Sequence, residues 1–107
     1  MANIIDLNSN LVYTDYSNSS LLLHTTVSDT THYTFTAPSD GFYYIQYLST
    51  SSTAHDFVVL IGSITFAQYL SIEFRRENYV IPLKAGTVVT YYNTTAYSTE
   101  IYIYKIA

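Results

Sequence analysis

The stretch that decides the fold runs Tyr33-Thr34-Phe35-Thr36-Ala37-Pro38-Ser39-Asp40-Gly41-Phe42-Tyr43-Tyr44-Ile45. β-Branched and aromatic residues dominate both halves of this stretch, which favours extended strands over helices. Pro38 fixes its own φ and disfavours a helical Ala37, and Gly41 is free to take a positive φ before the next strand. The stretch therefore predicts a strand, a tight turn and a second strand.

The same two-residue apolar period recurs along the chain and is typical of strands. Turn residues, including Gly86, separate the apolar segments. Residues 64–74 are the one helix candidate, but their apolar residues share one parity and indicate a strand. Predicted strands lie near residues 3–7, 11–14, 20–27, 32–37, 42–49, 56–61, 64–74, 79–83, 87–93 and 97–106. We expect an all-β antiparallel sandwich in a single domain over residues 1–107, with residues 1–10 as an edge strand or an N-terminal arm.

The composition excludes several kinds of partner. Charged residues make up 11% of the chain, and its formal net charge is −4. Four basic residues are too few to neutralise a nucleic-acid backbone or to form a polybasic membrane anchor. The chain has no cysteine, and its apolar run at residues 57–61 is too short to span a bilayer. We therefore expect no nucleic-acid partner, no membrane insertion and no cofactor.

Two predicted strands, 42–49 and 97–106, carry apolar residues on both faces. One face of each strand must fill the core, so the second face either meets another subunit or stays exposed as an aromatic patch. We favour an oligomer interface, because tyrosine buries a large area while its hydroxyl can still find a partner. The candidate interface residues are Tyr43, Tyr47, Tyr102 and Tyr104. The alternative is that tyrosines simply cover a hydrated sheet surface.

A family resemblance comes from residues 33–45. They resemble the F-x-A-P-x-x-G-x-Y segment of tumour-necrosis-factor-like and complement-globular-head-like jelly rolls. They are more similar still to the Y-T-A-P-S-D-G-Y version frequent in bacteriophage tail, fibre and capsid-attached proteins. Residues 57–63 and 80–89 also resemble this family, although Thr87 stands where it usually has aspartate. The resemblance implies a jelly roll assembled as a homotrimer, with other virion proteins as partners and the virion as its location.

Enzyme motifs are absent from the sequence, which lacks a G-x-G-x-x-G, a G-x-S-x-G and an H-E-x-x-H. His55-Asp56 with Ser51 or Ser52 contains the residue types of a triad, but we interpret this segment as a solvated loop. His24 and His32 fall on two strands that we expect to form a hairpin. Without a third ligand we interpret them as surface histidines and predict no metal site. Arg75 and Arg76, with Glu73 and Glu77, form either a solvated strand end or a contact with a neighbouring subunit.

The predicted function is a non-enzymatic bacteriophage virion protein with a structural or adhesive role, as a capsid decoration, head fibre or tail tip. The alternative is a free-standing, lectin-like carbohydrate-binding module. Tyrosines beside amides in loops suit sugar binding, because rings stack on pyranose faces and amides bond to hydroxyls. The candidate glycan-binding residues are Tyr16, Asn18, Tyr92, Asn93 and Tyr97. A glycan on the host surface is thus a possible partner in either case.

Overall fold

The computed structural model describes residues 20–51, 53–71 and 76–106, and this part of the chain forms eight strands. The strands are β1 (Ser20–Val27), β2 (Tyr33–Thr36), β3 (Gly41–Ser49), β4 (His55–Ile61), β5 (Ile64–Ser71), β6 (Arg76–Leu83), β7 (Val88–Asn93) and β8 (Thr99–Lys105). The predicted strands 3–7 and 11–14, and the predicted arm at residues 1–10, lie outside the described residues. Within the described ranges every predicted strand is present, and the strand that we preferred to a helix at residues 64–74 is described over residues 64–71.

The strands form two antiparallel sheets with the orders β1-β8-β3-β6 and β2-β7-β4-β5. Consecutive strands lie in different sheets except for β4 and β5, which pair with each other, so most pairings are long-range. This interleaved order over eight strands is that of a jelly roll, which confirms the predicted fold class. The order also separates β1 from β2, so the predicted hairpin between them is wrong. His24 consequently lies in β1 of one sheet, whereas His32 directly precedes β2 of the other.

The core lies between the sheets and is built by residues of one parity in each strand. In β3 the residues Tyr43, Ile45 and Tyr47 are fully buried, while Tyr44 and Gln46 are only half-buried. Phe57 of β4 packs against Tyr47 with ring centroids 4.8 Å apart, which joins the two sheets. Burial of an aromatic side chain on this scale contributes about 2–3 kcal/mol.

This parity corrects the predicted oligomer interface. Tyr43 and Tyr47 belong to the core and are not available to another subunit. Tyr43 tolerates full burial because its hydroxyl reaches the end of the sandwich and donates to the Ser39 carbonyl at 2.6 Å. Tyr102 and Tyr104, in contrast, point away from the core on β8.

The turn around Pro38 lies against the turn around Gly86. Ala37 donates its amide to the Thr87 carbonyl at 2.9 Å, and Gly86 donates to the Ala37 carbonyl at 2.8 Å. Gly86 lies in a turn, as predicted, and has a φ of 86°, which favours glycine. Gly41 instead is the buried first residue of β3 and pairs with Leu83. It therefore belongs to the strand and not to the turn.

Candidate interaction surface

The outward side of the β1-β8-β3-β6 sheet carries an ordered set of aromatic and amide side chains. We call it the Tyr102 face. The strand register arranges it in three rows across the sheet. The rows are Leu21, Tyr104, Tyr44 and Val80; His24, Tyr102, Gln46 and Asn78; and Thr26, Glu100, Leu48 and Arg76. The first row is apolar and aromatic, the second is polar and aromatic, and the third carries the charges.

Aromatic rings of neighbouring strands contact one another on this face. His24 and Tyr102 stack with centroids 4.1 Å apart and an interplanar angle of 13°. Because adjacent strands are about 4.8 Å apart, such a stack between neighbouring strands requires both rings to rise from the sheet. Tyr104 lies parallel to Tyr102 at 6.5 Å and meets Tyr44 edge-on at 6.0 Å. His24 therefore covers one side of the Tyr102 ring.

Hydrogen bonds fix the centre of the face. The Tyr44 hydroxyl donates to Asn78 Oδ1 at 2.7 Å, and Gln46 Nε2 donates to the same oxygen at 2.8 Å. Gln46 Nε2 also lies 3.2 Å from the Tyr44 hydroxyl oxygen, which accepts from it. These bonds tie β3 to β6 on the solvent side, so the side chains are held before any partner arrives. Less side-chain entropy is then lost on binding.

The charged row holds Glu100 on the inner strand β8 and Arg76 on the edge strand β6. On β8, the Tyr102 hydroxyl donates to Glu100 Oε2 at 3.4 Å, and His24 Nε2 lies 3.7 Å from Glu100 Oε1. Burial raises the pKa of Tyr102, as does the neighbouring Glu100 carboxylate, while Arg76 acts in the opposite direction. Tyr102 is therefore un-ionised at neutral pH and remains a hydrogen-bond donor.

Of the predicted interface residues, the structure thus brings Tyr102 and Tyr104 together on one surface and removes Tyr43 and Tyr47 from it. Sequence reasoning missed His24, Gln46 and Asn78. The position of Gln46 was an available signal. Its side chain lies on the same face of β3 as Tyr44 and Leu48, and an amide rarely points into a core. That signal assigns Tyr44 to the outside and Tyr43 to the inside.

The predicted glycan-binding residues do not form one stacking platform. Tyr16 and Asn18 lie outside the described residues. Tyr92 is already stacked by His32, with centroids 3.7 Å apart and an angle of 16°. Tyr97 is 38% exposed, with its ring 5.5 Å from that of His55.

The clearest contradiction to the predicted glycan-binding set is Asn93, which is fully buried. Its Nδ2 lies 3.0 Å from the Val27 carbonyl oxygen, 3.2 Å from that of Asp29 and 2.7 Å from that of Tyr97. Its Oδ1 accepts from the Thr99 hydroxyl at 2.7 Å. The amide therefore fastens the β1–β2 and β7–β8 connections to each other.

His55 continues this buried polar chain. Its Nε2 lies 2.7 Å from Thr99 Oγ1, and its Nδ1 lies 3.1 Å from the Thr53 carbonyl oxygen. The expectation of a solvated loop is wrong, since His55 is the buried first residue of β4. Both ring nitrogens are thus occupied by groups other than Ser51 and Asp56, and the arrangement is structural and not that of a triad.

Other sites for chemistry are not evident in the described part of the chain. There, no group of three His, Cys, Asp or Glu side chains lies close enough to hold a metal ion. The described residues likewise include no helix with the length and apolar character needed to cross a membrane.

Two buried or hydrogen-bonded tyrosines of the second sheet remain un-ionised. Burial raises the pKa of Tyr91, and the hydrogen bond with Asp29 raises the pKa of Tyr33.

Comparison with known proteins gives likeness in fold alone. No family model and no curated protein matches the sequence. Among solved structures, the chain is similar to the C-terminal domain of A223, a structural protein from sulfolobus turreted icosahedral virus. The TM-score is 0.49 and the identity 24%, over 84% of this chain and 100% of that one.

Two carbohydrate-binding modules are similar in fold to a comparable degree. The C-terminal CBM6 of LamC from Zobellia galactanivorans has a TM-score of 0.49 and 13% identity, over 86% of this chain and 93% of that one. A family 35 carbohydrate-binding module from an environmental isolate has a TM-score of 0.48 and 19% identity, over 87% and 81%. Likeness at this level extends to the β-sandwich and carries no function to this chain.

Proposed function

We propose that this chain is a non-enzymatic structural or adhesive component of a bacteriophage particle. It assembles with two further copies of itself through the Tyr102 face and displays its loops on the virion. The observation that carries this proposal is the preorganised, charge-poor character of that face. The resemblance of residues 33–45 to phage tail, fibre and capsid-attached proteins supplies the virion setting, with other virion proteins as partners.

The chemistry of the Tyr102 face suits a protein partner better than a sugar. Protein interfaces are enriched in tyrosine and poor in charge at their centre, and this face has tyrosines, amides and one row of charges. Sugar binding by stacking needs an open ring face, whereas His24 covers one side of the Tyr102 ring. Exposed apolar side chains at both margins, Leu21 at 52% and Val80 at 41%, extend the surface across all four strands.

The test compares two matched tyrosines on opposite outer faces. Tyr102 and Tyr92 are both half-buried and each is stacked by a histidine, His24 of β1 for Tyr102 and His32, directly before β2, for Tyr92. Tyr102→Ala is expected to raise the dissociation constant of the assembly at least about tenfold, whereas Tyr92→Ala leaves it within about twofold. Sedimentation velocity over a concentration series measures both, and near-ultraviolet circular dichroism checks that both variants are folded. Equal effects of the two substitutions would contradict assembly through the Tyr102 face.

A lectin-like module remains the second candidate because of one observation, the exposed ring of Tyr97 in the β7–β8 connection. A glycan array probed with the purified chain tests it. Specific binding that is lost in Tyr97→Ala would favour this alternative. Particle association without sugar binding would favour the virion role.

A further inference from the structure

The edge strand β1 lacks the charges and prolines that keep most sheet edges from pairing with a further strand. The β2 edge has only four residues, and the β6 edge carries Arg76, Glu77 and Pro82. β1 has eight residues and contains no Asp, Glu, Lys, Arg or Pro. In the described part of the chain it pairs with β8 alone, with one register shift at Leu22. Its other edge can therefore accept a strand.

The side of the sandwich beside β1 is also incompletely closed. An opening of about 150 Å³ lies there, lined by residues of β1 together with Tyr33 of β2 and Tyr91 of β7. Leu23 of β1 is only half-buried, whereas its partner Ile103 on β8 is fully buried. The inward side of β1 therefore lacks side chains that would cover it.

The opposite side of the sandwich shows how such an opening is closed. There Phe66 of β5 meets Tyr79 of β6 edge-on at 5.1 Å, so two rings bridge the sheets. A cavity the size of the β1 opening has room for a benzene ring, and one or two aliphatic side chains would fill it. Leu21 and Leu22, which are 52% and 39% exposed, add apolar surface on β1 itself. The β1 edge therefore suits an extended apolar segment.

We propose that residues 11–16 of the same chain bind the free edge of β1 as an antiparallel strand. The segment reads Leu-Val-Tyr-Thr-Asp-Tyr, and its β-branched and aromatic residues suit a strand. Three residues, Ser-Asn-Ser at 17–19, separate it from Ser20, the first residue of β1. Loops of three residues are common in β-hairpins, and serine and asparagine are frequent in turns. The segment is therefore joined to the β1 edge by a loop of suitable length.

The hairpin geometry determines which side chains enter the opening. With a three-residue loop, Asp15 stands opposite Leu21, and opposite residues of an antiparallel pair share a face. Leu21 is exposed on the outward face, so the carboxylate of Asp15 stays in water. Because side chains of a strand alternate between faces, Val12 and Thr14 then point into the opening and Leu11 points outward.

The same substitution at two neighbouring residues tests this pairing. Val12→Asp is expected to lower the urea midpoint of the full chain by at least about 1 M, because it puts a carboxylate into the apolar opening. Leu11→Asp is the matched control and is expected to change the midpoint by less than about 0.2 M, because its carboxylate stays hydrated. Measurement far below the dissociation constant of the assembly makes the result independent of self-assembly. Equal shifts in the two variants would overturn the proposal.

Amide hydrogen exchange of the wild-type chain tests the pairing without any substitution. Successive amides of a strand point to opposite sides, so an edge strand has every second amide bonded to its neighbour. The β1 amides that point away from β8 are expected to exchange at least about tenfold more slowly than unprotected amides, at any protein concentration. Exchange at the unprotected rate would overturn the proposal. Protection that disappears on dilution would also overturn it, because a second copy would then be what covers the edge.

Discussion

Replacing Asn93 by aspartate is expected to lower the free energy of unfolding by about 3 kcal/mol or more. The two side chains have nearly the same size, so the change creates no cavity. At neutral pH, however, it places a second carboxylate oxygen where Nδ2 now donates, facing the carbonyls of Val27, Asp29 and Tyr97. The variant loses its donor and adds repulsion in a fully buried position.

The matched control is Asn78→Asp on the Tyr102 face. There the amide oxygen accepts from Tyr44 and Gln46, and a carboxylate accepts from both equally well. We expect a change within about 0.5 kcal/mol. Urea unfolding at a protein concentration far below the dissociation constant of the assembly measures both variants, because Asn78 lies on the Tyr102 face and its substitution also changes assembly. If Asn93→Asp were as stable as the control, the role assigned to the buried amide would be wrong.

Phe57→Ala is expected to destabilise the fold by about 3–5 kcal/mol. Phe57 is fully buried, lies on the central region of the second sheet and contacts Tyr47 of the first. Its removal leaves a cavity between the sheets that the large rigid rings around it cannot fill. The midpoint and slope of urea unfolding report the loss.

Phe66→Ala provides the comparison for Phe57. Phe66 is 39% exposed and meets Tyr79 edge-on at 5.1 Å at the margin of the core. Its truncation is expected to cost about 1 kcal/mol, because water already reaches the ring. Equal losses in the two variants would show that the core does not centre on the contact between Phe57 and Tyr47.

Local pattern was enough to predict most of the strands. The two-residue period at residues 20–27 and 42–49 depends only on side chains alternating between faces, which is a property of any extended chain. The same argument correctly preferred a strand to a helix at residues 64–71. Pro38 and Gly86 marked turns because their backbone preferences are local as well.

The features that the sequence did not predict depend on the long-range pairing of strands. His24 and His32 were expected on one hairpin because their strands are consecutive, but the jelly-roll order places β1 and β2 in different sheets. Tyr43 and Tyr44 are equally apolar, and the amide of Gln46 on the same face as Tyr44 is the one local signal that separates them. Asn93 resembles a loop amide in sequence, yet it is buried against the carbonyls of the distant residues Val27 and Asp29 and of the nearby Tyr97.

The molar mass of the purified chain in solution tests the central proposal most directly. Multi-angle light scattering over a range of concentrations is expected to give three times the chain mass of 12.2 kDa. A mass of two chains would contradict the trimer while leaving contact through the Tyr102 face possible. A mass of 12.2 kDa at every concentration would contradict self-assembly itself.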